Sequence, residues 1–297
     1  MFTNQDVMEL RKKTGAGVAD CKKALTETQG DMDKAVDFLR EKGIATAAKK
    51  ASRIAAEGIV LAKVEGNTGV LVEVNCETDF VAKGDQYIAF VQGVADYVLA
   101  NDVKDIDQLI ADKNEETVNA TAKIGEKIAI RRFVKYSADN GLVESYIHMG
   151  GKVGVLLELD GCTCDCAKEL AHDVALQIAA AKPLYLTADE VPADVVEHEK
   201  EILLAQIKND PKLANKPEMV INKMIEGKIN KYYDENCLLK QAFVKDPSLT
   251  IEKLVKDAGD KMGKTLTIKR FTRFEMGEGL EKRNDDFAAE VEAQMKK

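Results

Sequence analysis

The segment GVLVEV at residues 69–74 decides the fold, because a close copy of it, GVLLEL, recurs at residues 154–159. Runs of this length that are rich in Val and Leu are typical of β-strands. Each run ends a predicted hairpin, whose turn lies at residues 66–69 in the first copy and at Gly150-Gly151 in the second. Apolar residues at helical spacing follow both hairpins. The repeat therefore predicts two related units of strands and helices.

A second pair of similar segments extends the repeat. The strand patterns IAIRRFVKYS at residues 128–137 and TLTIKRFTRFE at residues 265–275 share an Ile, two basic residues and a Phe in the same order. Internal duplication of a strand-strand-helix-strand unit explains both pairs. We expect an α+β fold with the first core copy at residues 58–140 and the second copy at residues 141–275.

Two helical additions flank or interrupt the second copy. Residues 190–235 carry narrow apolar stripes between charged flanks, with two prolines in the middle, which is typical of an antiparallel helical hairpin that projects into solvent. The last segment, residues 276–297, is predicted to end in a helix that places Phe287 and Val291 on one face.

The N-terminal 43 residues are predicted to form three short helices around a small core. Glycine follows each predicted helix, at Gly15, Gly30 and Gly43, and glycine is the common residue after a helix end. Residues 44–57 are rich in alanine and carry basic side chains, so we expect a helical linker that leads away from this module.

Composition limits the possible partners. The chain has 297 residues, of which 45% are hydrophobic and 32% charged, and its net charge is −8. An acidic balance of this kind gives no overall attraction to nucleic acid or to an anionic membrane. No run of apolar residues is long enough to span a membrane, and the first residues lack the pattern of a signal or transit peptide. We expect a cytoplasmic protein whose six cysteines are free thiols.

Few residue patterns point to catalysis. Cys162, Cys164 and Cys166 could supply thiolate ligands with His172 nearby, but no further pair of ligands completes a four-ligand zinc site. We therefore expect ordinary small residues in a strand-to-helix loop and no metal site, with a thiolate metal site as the alternative. The histidines accompany no known catalytic motif, and the glycine pairs lie between strands rather than at a helix start. We expect no enzymatic activity, no small-molecule substrate and no cofactor.

The connector NCETDFVAKGDQY at residues 75–87 places an apolar ring between charged residues. In one interpretation Thr78 caps a short turn, Asp79 stabilises its dipole, and Phe80 and Val81 fold back on the hairpin. In the other interpretation the ring is held outward on a rigid turn. The equivalent connector of the second copy, DGCTCDCAKE, has no aromatic residue, so the fold does not require one. The sequence favours an outward ring that binds a partner.

Several motifs together resemble one family. The segment TGAGVADCKKALTETQGDMDKAVDFL resembles the ubiquitin-associated three-helix fold. Together with EVNCETDFVAK, AAAKPLYLT and RFEMGEGLEK, in this order, it resembles the bacterial elongation factor Ts family over essentially the full length. This resemblance implies a guanine nucleotide exchange factor for elongation factor Tu, the GTPase that carries aminoacyl-tRNA. It implies no direct contact with nucleic acid or membrane.

The resemblance also assigns contact residues. It implies that one motif presses between two helices of the GTPase domain and disturbs the bound Mg²⁺: Thr78, Asp79, Phe80 and Val81. The N-terminal module and the C-terminal helix would grip a further helix, and the second copy would reach another domain of the partner. The residues implied in these contacts are Arg11, Thr14, Gly15, Ala16, Gly17, Val18, Ala19, Ala180, Lys182, Pro183, Phe287 and Val291.

This sequence departs from some members of the family after the TGAG loop. Those members have paired methionines, whereas this chain has Val18 and Ala19, which would bury less surface on a partner helix. An adaptor that binds other proteins through the three-helix module, without nucleotide exchange, is the alternative function.

Overall fold

The computed structural model describes residues 2–14, 16–210, 213 and 216–281. Its helices are α1 (Asn4–Thr14), α2 (Val18–Glu27), α3 (Met32–Lys50), α4 (Asp79–Ala82), α5 (Asp85–Ala100), α6 (Ile106–Asp112), α7 (Asn114–Ile124), α8 (Asp165–Ala181), α9 (Ala193–Asn209), α10 (Glu218–Asn236) and α11 (Ile251–Met262). Its strands are β1 (Glu57–Glu65), β2 (Thr68–Cys76), β3 (Ala129–Ser137), β4 (Gly141–His148), β5 (Val153–Asp160), β6 (Ala242–Phe243), β7 (Asp246–Thr250) and β8 (Thr267–Glu275). Gly15 and the predicted terminal helix with Phe287 and Val291 lie outside the described residues.

Two antiparallel sheets carry the repeat that the sequence predicts. Their strand orders are β1-β2-β3 and β4-β5-β8, so the second strand of each hairpin is central in both. The register shifts after Glu73 in the first sheet and after Glu158 in the second, at equivalent positions of the two copies. The mixture of helices with small antiparallel sheets confirms an α+β fold.

The two sheets lie face to face between two layers of helices. Val72 of β2 packs with α5 in one core, and Leu157 of β5 packs with α8 in another. Their neighbours Leu71 and Leu156 point to the opposite face, where they share a third core between the sheets. Because both faces of the central strands are covered, apolar residues follow one another at residues 70–72 and 155–157 instead of alternating with polar ones.

Glycine allows the sheets to approach closely at two equivalent positions. A Cβ at Gly69 would lie 2.6 Å from Val143 Cγ1, and a Cβ at Gly154 would lie 2.5 Å from Val60 Cγ1. Each glycine therefore receives a valine from the other sheet in a reciprocal contact. The N–H of Val60 also donates to the carbonyl oxygen of Gly151 at 2.8 Å, which joins β1 to the β4–β5 turn.

The linker prediction for residues 44–57 is wrong in its boundaries. Helix α3 continues through Gly43 to Lys50, and the chain is non-helical from there to β1. Gly43 is buried against α7, where a Cβ would lie 3.5 Å from Ala122 Cβ. Arg40 forms an ion pair with Glu115 at 2.8 Å along the same contact. Gly43 therefore lies within the contact between α3 and α7 rather than at a helix end.

The insertion in the second copy consists of α9 and α10, which pack on each other. Their buried residues Ile207 and Ile229 belong to none of the hydrophobic cores formed by the described residues of the sheets and of the N-terminal helices. The chain then returns through the short β6–β7 pair, which the sequence pattern did not predict, and α11. In the described part of the chain, no helix has the length and hydropathy needed to cross a membrane.

Candidate functional site

Residues 77–84, named here the Phe80 turn, connect β2 to α5. Thr78 is the N-cap of the one-turn helix α4, and its hydroxyl accepts a hydrogen bond from the N–H of Val81 at 3.4 Å. The N–H of Gly84 donates to the carbonyl oxygen of Val81 at 2.9 Å and closes the turn. Helix α5 begins immediately after Gly84. This local arrangement agrees with the predicted cap and with the predicted start of the main helix.

The two apolar residues of the turn point in different directions. The Phe80 side chain is 83% exposed, the largest exposed fraction among the large hydrophobic residues of the described chain. Val81 is half-buried against the core beneath the first sheet, and Ala82 is buried in that core. The turn therefore anchors itself through Val81 and Ala82 and leaves the ring in solvent. Of the two predicted interpretations, the geometry matches the outward ring.

Glu126 holds the turn in place. Its carboxylate accepts hydrogen bonds from the N–H groups of Glu77 and Thr78, at 3.1 and 3.0 Å, and from the Thr78 hydroxyl at 2.7 Å. Glu126 follows Gly125, the left-handed residue that ends α7. Hydrogen bonds to a charged acceptor are about twice as strong as neutral ones. The sequence analysis missed Glu126, because it lies 48 residues after Thr78 and belongs to no motif.

Glu77 makes the reciprocal connection. Its carboxylate accepts a hydrogen bond from the N–H of Lys127 at 2.7 Å and forms an ion pair with Arg53 at 3.2 Å. The side chain of Glu77 is only 11% exposed, so this pair is shielded from solvent more than a surface pair. Two carboxylates thus cross-link the end of β2 to the segment before β3.

Two buried neutral side chains donate hydrogen bonds to the backbone of the turn and of β2. The Cys76 thiol donates to the carbonyl oxygen of Thr78 at 3.2 Å, and the Tyr87 hydroxyl donates to the carbonyl oxygen of Val74 at 2.6 Å. Burial raises the pKa of Cys76 to about 12 and raises the pKa of Tyr87 well above its ordinary value. Both groups therefore stay protonated near neutral pH and act as hydrogen-bond donors.

Asp79 lies beside the exposed ring and keeps its charge. Its carboxylate accepts a hydrogen bond from the ammonium group of Lys83 at 2.7 Å, one helical turn away. This hydrogen bond lowers the pKa of Asp79 below its ordinary value. The exposed ring therefore lies beside an ion pair formed by Asp79 and Lys83.

A groove of about 580 Å³ lies between α4 and the β4–β5 turn. Its apolar lining includes Ile59, Ile88, Ile147 and Met149. Met149 is 74% exposed and has a positive φ of 48° at the tip of the hairpin. The sequence analysis treated this hairpin as a simple turn and did not predict that it would lie beside the Phe80 turn.

The residues predicted at the start of the N-terminal module are mostly accessible. Arg11, Gly17, Val18 and Ala19 are exposed, while Ala16 is half-buried. Thr14 is also half-buried, because its hydroxyl donates to the carbonyl oxygen of Leu10 and accepts from the N–H of Ala16. These residues lie at the junction of α1 and α2, a separate place from the Phe80 turn.

The predicted contacts of the second copy cluster at the end of α8. Ala180 and Lys182 are exposed, and Lys182 ends the helix with a positive φ of 50°. Its ammonium group pairs with Glu275 at 3.0 Å. Pro183 is buried, whereas the next residue, Leu184, is 64% exposed. The apolar residue available to a partner here is therefore Leu184, which the sequence analysis did not select.

Comparison with known proteins identifies a class of translation factor. A family model described as Elongation factor TS matches residues 77–278, which begin at the Phe80 turn and include β3 and all strands of the second sheet. The curated relatives that match along the chain carry the name Elongation factor Ts, so the class is that of the translation elongation factors.

The relatives match over nearly their whole length. The chain is 47% identical to the elongation factor Ts of Clostridium novyi (strain NT), with 99% of each chain covered. It is 48% identical to that of Trichlorobacter lovleyi, with 98% of each covered, and 51% identical to that of Symbiobacterium thermophilum, with 98% of this chain and 97% of the relative covered. The chain belongs to the elongation factor Ts family.

Proposed function

We propose that the protein is a guanine nucleotide exchange factor that binds elongation factor Tu and promotes release of GDP. Membership of the elongation factor Ts family supports this role in translation. The observation that carries the proposal is the Phe80 ring, which is 83% exposed on a turn fixed by Glu126. A ring held outward by the protein's own framework is suited to insertion into a partner.

The energy of insertion comes from the ring. Burial of a Phe side chain in a partner contributes about 1.5 to 3 kcal/mol. The hydrogen bonds from Thr78 and Glu77 to Glu126 order the turn before binding, so that little conformational entropy is lost on association. Thr78 and Val81 hold the turn, Phe80 inserts, and Asp79 presents its charge at the edge of the contact.

Exchange requires no covalent step. Bound GDP depends on Mg²⁺ and on backbone N–H groups that surround its phosphates. A ring that displaces the residues supporting the metal weakens GDP binding without touching GDP. By thermodynamic linkage, GDP weakens the binding of the exchange factor by the same factor. The protein therefore needs no catalytic residue, cofactor or small-molecule substrate of its own.

Two further surfaces extend the proposed contact. The first is the α1–α2 junction with Arg11, Val18 and Ala19, in a module that we propose to be ubiquitin-associated-like and to bind a helix of the partner. The second is the end of α8 with Ala180 and Lys182. We further propose that α9 and α10 form a projecting hairpin, and that the protein acts in the cytoplasm without direct contact to nucleic acid or membrane.

Release of fluorescently labelled GDP from elongation factor Tu tests the function. Stopped-flow measurements are expected to show faster GDP release when the protein is added, and excess GDP is expected to dissociate the complex. Unchanged release, together with binding that is insensitive to GDP, would instead indicate an adaptor that uses its N-terminal module.

A further inference from the structure

The thiol groups of Cys162 and Cys164 lie side by side where β5 leads into α8. Their Sγ atoms are 2.7 Å apart, and the N–H of Cys164 donates to Cys162 Sγ at 3.3 Å. Cys164 is exposed and Cys162 is half-buried, so both can be reached by a small reagent. Only a small movement separates this arrangement from the S–S distance of about 2.05 Å in a disulfide.

The surroundings of the pair favour a thiolate at Cys162. The hydrogen bond between the two thiols lowers the pKa of Cys162, and the Cys164 N–H and Lys264 act in the same direction. The same interaction raises the pKa of Cys164, which therefore keeps its proton. A thiolate beside a protonated, accessible thiol is the arrangement found in redox-sensing pairs.

The other described thiols differ from this pair. Cys21, Cys76 and Cys237 are buried, and burial in apolar surroundings makes a thiol unreactive. Cys166 is exposed on α8 and supplies a matched reference for a solvent-accessible thiol. Among the described residues, no group of three or more His, Cys, Asp or Glu side chains is placed to hold a metal ion. The geometry therefore favours oxidation of the pair over metal binding.

We propose that Cys162 and Cys164 form an oxidisable dithiol that reacts with hydroperoxides. The Cys162 thiolate attacks one peroxide oxygen, the O–O bond breaks, and hydroxide or alkoxide leaves, which gives a sulfenic acid. The Cys164 sulfur then attacks the sulfenic sulfur, the S–O bond breaks, and the hydroxyl group departs with the Cys164 proton as water. Two electrons pass from the sulfur pair to the peroxide, and a dithiol reductant reverses the reaction.

Thiol mapping of the full-length protein tests this site. The reduced protein is treated with hydrogen peroxide, quenched with N-ethylmaleimide and analysed by peptide mass spectrometry. The peptide that contains residues 162–166 is expected to lose two hydrogen atoms and to carry maleimide on Cys166 alone. Because the Cys164 sulfur lies 2.7 Å from Cys162 and can resolve its sulfenic acid at once, the pair is expected to be oxidised severalfold faster than Cys166 or more. Dithiothreitol is expected to restore all three maleimide adducts.

Single substitutions assign the roles. Cys164→Ser is expected to leave a sulfenic acid on Cys162 that dimedone traps, whereas Cys166→Ser is expected to form the disulfide at the rate of the unsubstituted protein. Thermal melting of each variant checks that the fold is intact. Free thiols at Cys162 and Cys164 after peroxide treatment, or oxidation of Cys166 at the same rate as Cys162, would overturn the proposal. These outcomes are independent of GDP release, which is measured on the reduced protein.

Discussion

At the scale of single residues, two adjacent residues of the Phe80 turn have different roles. Val81 packs against the core of its own subdomain, whereas the Phe80 ring stays in solvent. An isolated exposed apolar side chain costs a protein little, so the ring can be kept for binding without a large loss of stability. The residues that fix its position, above all Glu126, matter as much to the site as the ring itself.

Phe80→Ala is expected to slow GDP release from elongation factor Tu severalfold or more. Because the ring is 83% exposed, the free energy of unfolding is expected to change by no more than about 0.5 kcal/mol. Stopped-flow GDP release and urea unfolding measure the two effects. Met219→Ala on α10 is the matched control, since Met219 is 73% exposed and lies outside the proposed contact. An unchanged exchange rate in Phe80→Ala would remove the ring from the mechanism.

Glu126→Gln is expected to slow exchange while leaving the protein folded. The substitution removes the charge and leaves one acceptor oxygen for the N–H groups of Glu77 and Thr78, while the amide N–H₂ group cannot accept the hydrogen bond from the Thr78 hydroxyl. Glu116→Gln is the control, because Glu116 pairs with Lys113 on the surface of α7. In a Phe80→Ala background, Glu126→Gln is expected to cause no further loss, as its effect passes through the ring. Additive losses in the double variant would show that Glu126 acts by another route.

Sequence alone could identify Phe80 but not its support. Comparison of the two copies singled out the ring. One strand-to-helix connector contains an aromatic residue and the equivalent connector of the other copy contains none, so the fold does not require the ring. Glu126 gave no such signal, since its role depends on a contact across 48 residues. Pro183 and Leu184 show the same limit, because which of two adjacent residues is buried depends on packing that no local pattern records.

At the scale of elements, the end of α3 depends on its neighbour rather than on its own residues. Glycine costs a helix interior about 0.8–1.0 kcal/mol relative to alanine, so Gly43 was expected to end the helix. The helix continues through Gly43 because α3 packs against α7, a contact that includes the ion pair between Arg40 and Glu115. The N-terminal helices therefore pack on the core through the contact between α3 and α7, instead of being connected to it only by a linker.

Replacement of residues 192–230 by a short Gly/Ser linker is expected to leave the core folded with a cooperative thermal transition. Helices α9 and α10 pack chiefly on each other, and their buried residues Ile207 and Ile229 lie outside the cores of the sheets. The last turn of α10 is kept, because the carbonyl oxygen of Asn236 accepts hydrogen bonds from Leu184 and Tyr185. A broad, non-cooperative transition in the shortened protein would contradict this independence.

At the scale of the whole molecule, the two copies form one body because their inner faces share a core. Leu71 and Leu156 occupy equivalent positions and lie in the same cluster between the sheets. The sequence repeat predicted two related strand-strand-helix-strand units, but it gave no order of the strands within each sheet. It also did not predict that the two sheets pack face to face. An apolar run indicates that both faces of a strand are buried, but not which elements bury them.

Glu73→Ala is expected to destabilise the protein by about 1 to 3 kcal/mol, because it removes the buried carboxylate that accepts hydrogen bonds from Arg131, Arg132 and the N–H of Gly277. The Glu73 carboxylate is fully buried and contacts Arg131 at 2.9 Å and Arg132 at 2.5 Å. Glu158 is the equivalent residue of the second copy and pairs with Arg270, whose side chain is 50% exposed. Glu158→Ala is therefore expected to cost only about 1 kcal/mol or less. Urea unfolding compares the two, and equal losses would refute the central role of Glu73.

The late position of β8 has a consequence for synthesis on the ribosome. The central strand β5 cannot pair with its second neighbour until residues 267–275 leave the exit tunnel. The hydrogen bond from the N–H of Gly277 to the Glu73 carboxylate also forms only after this point. A nascent chain therefore keeps one edge of β5 unpaired, and lacks the contribution of Phe274 to the core between the sheets, until it is almost complete. Products of premature termination before residue 267 would carry this unpaired strand edge, which makes them targets for chaperones and proteases rather than partly active fragments.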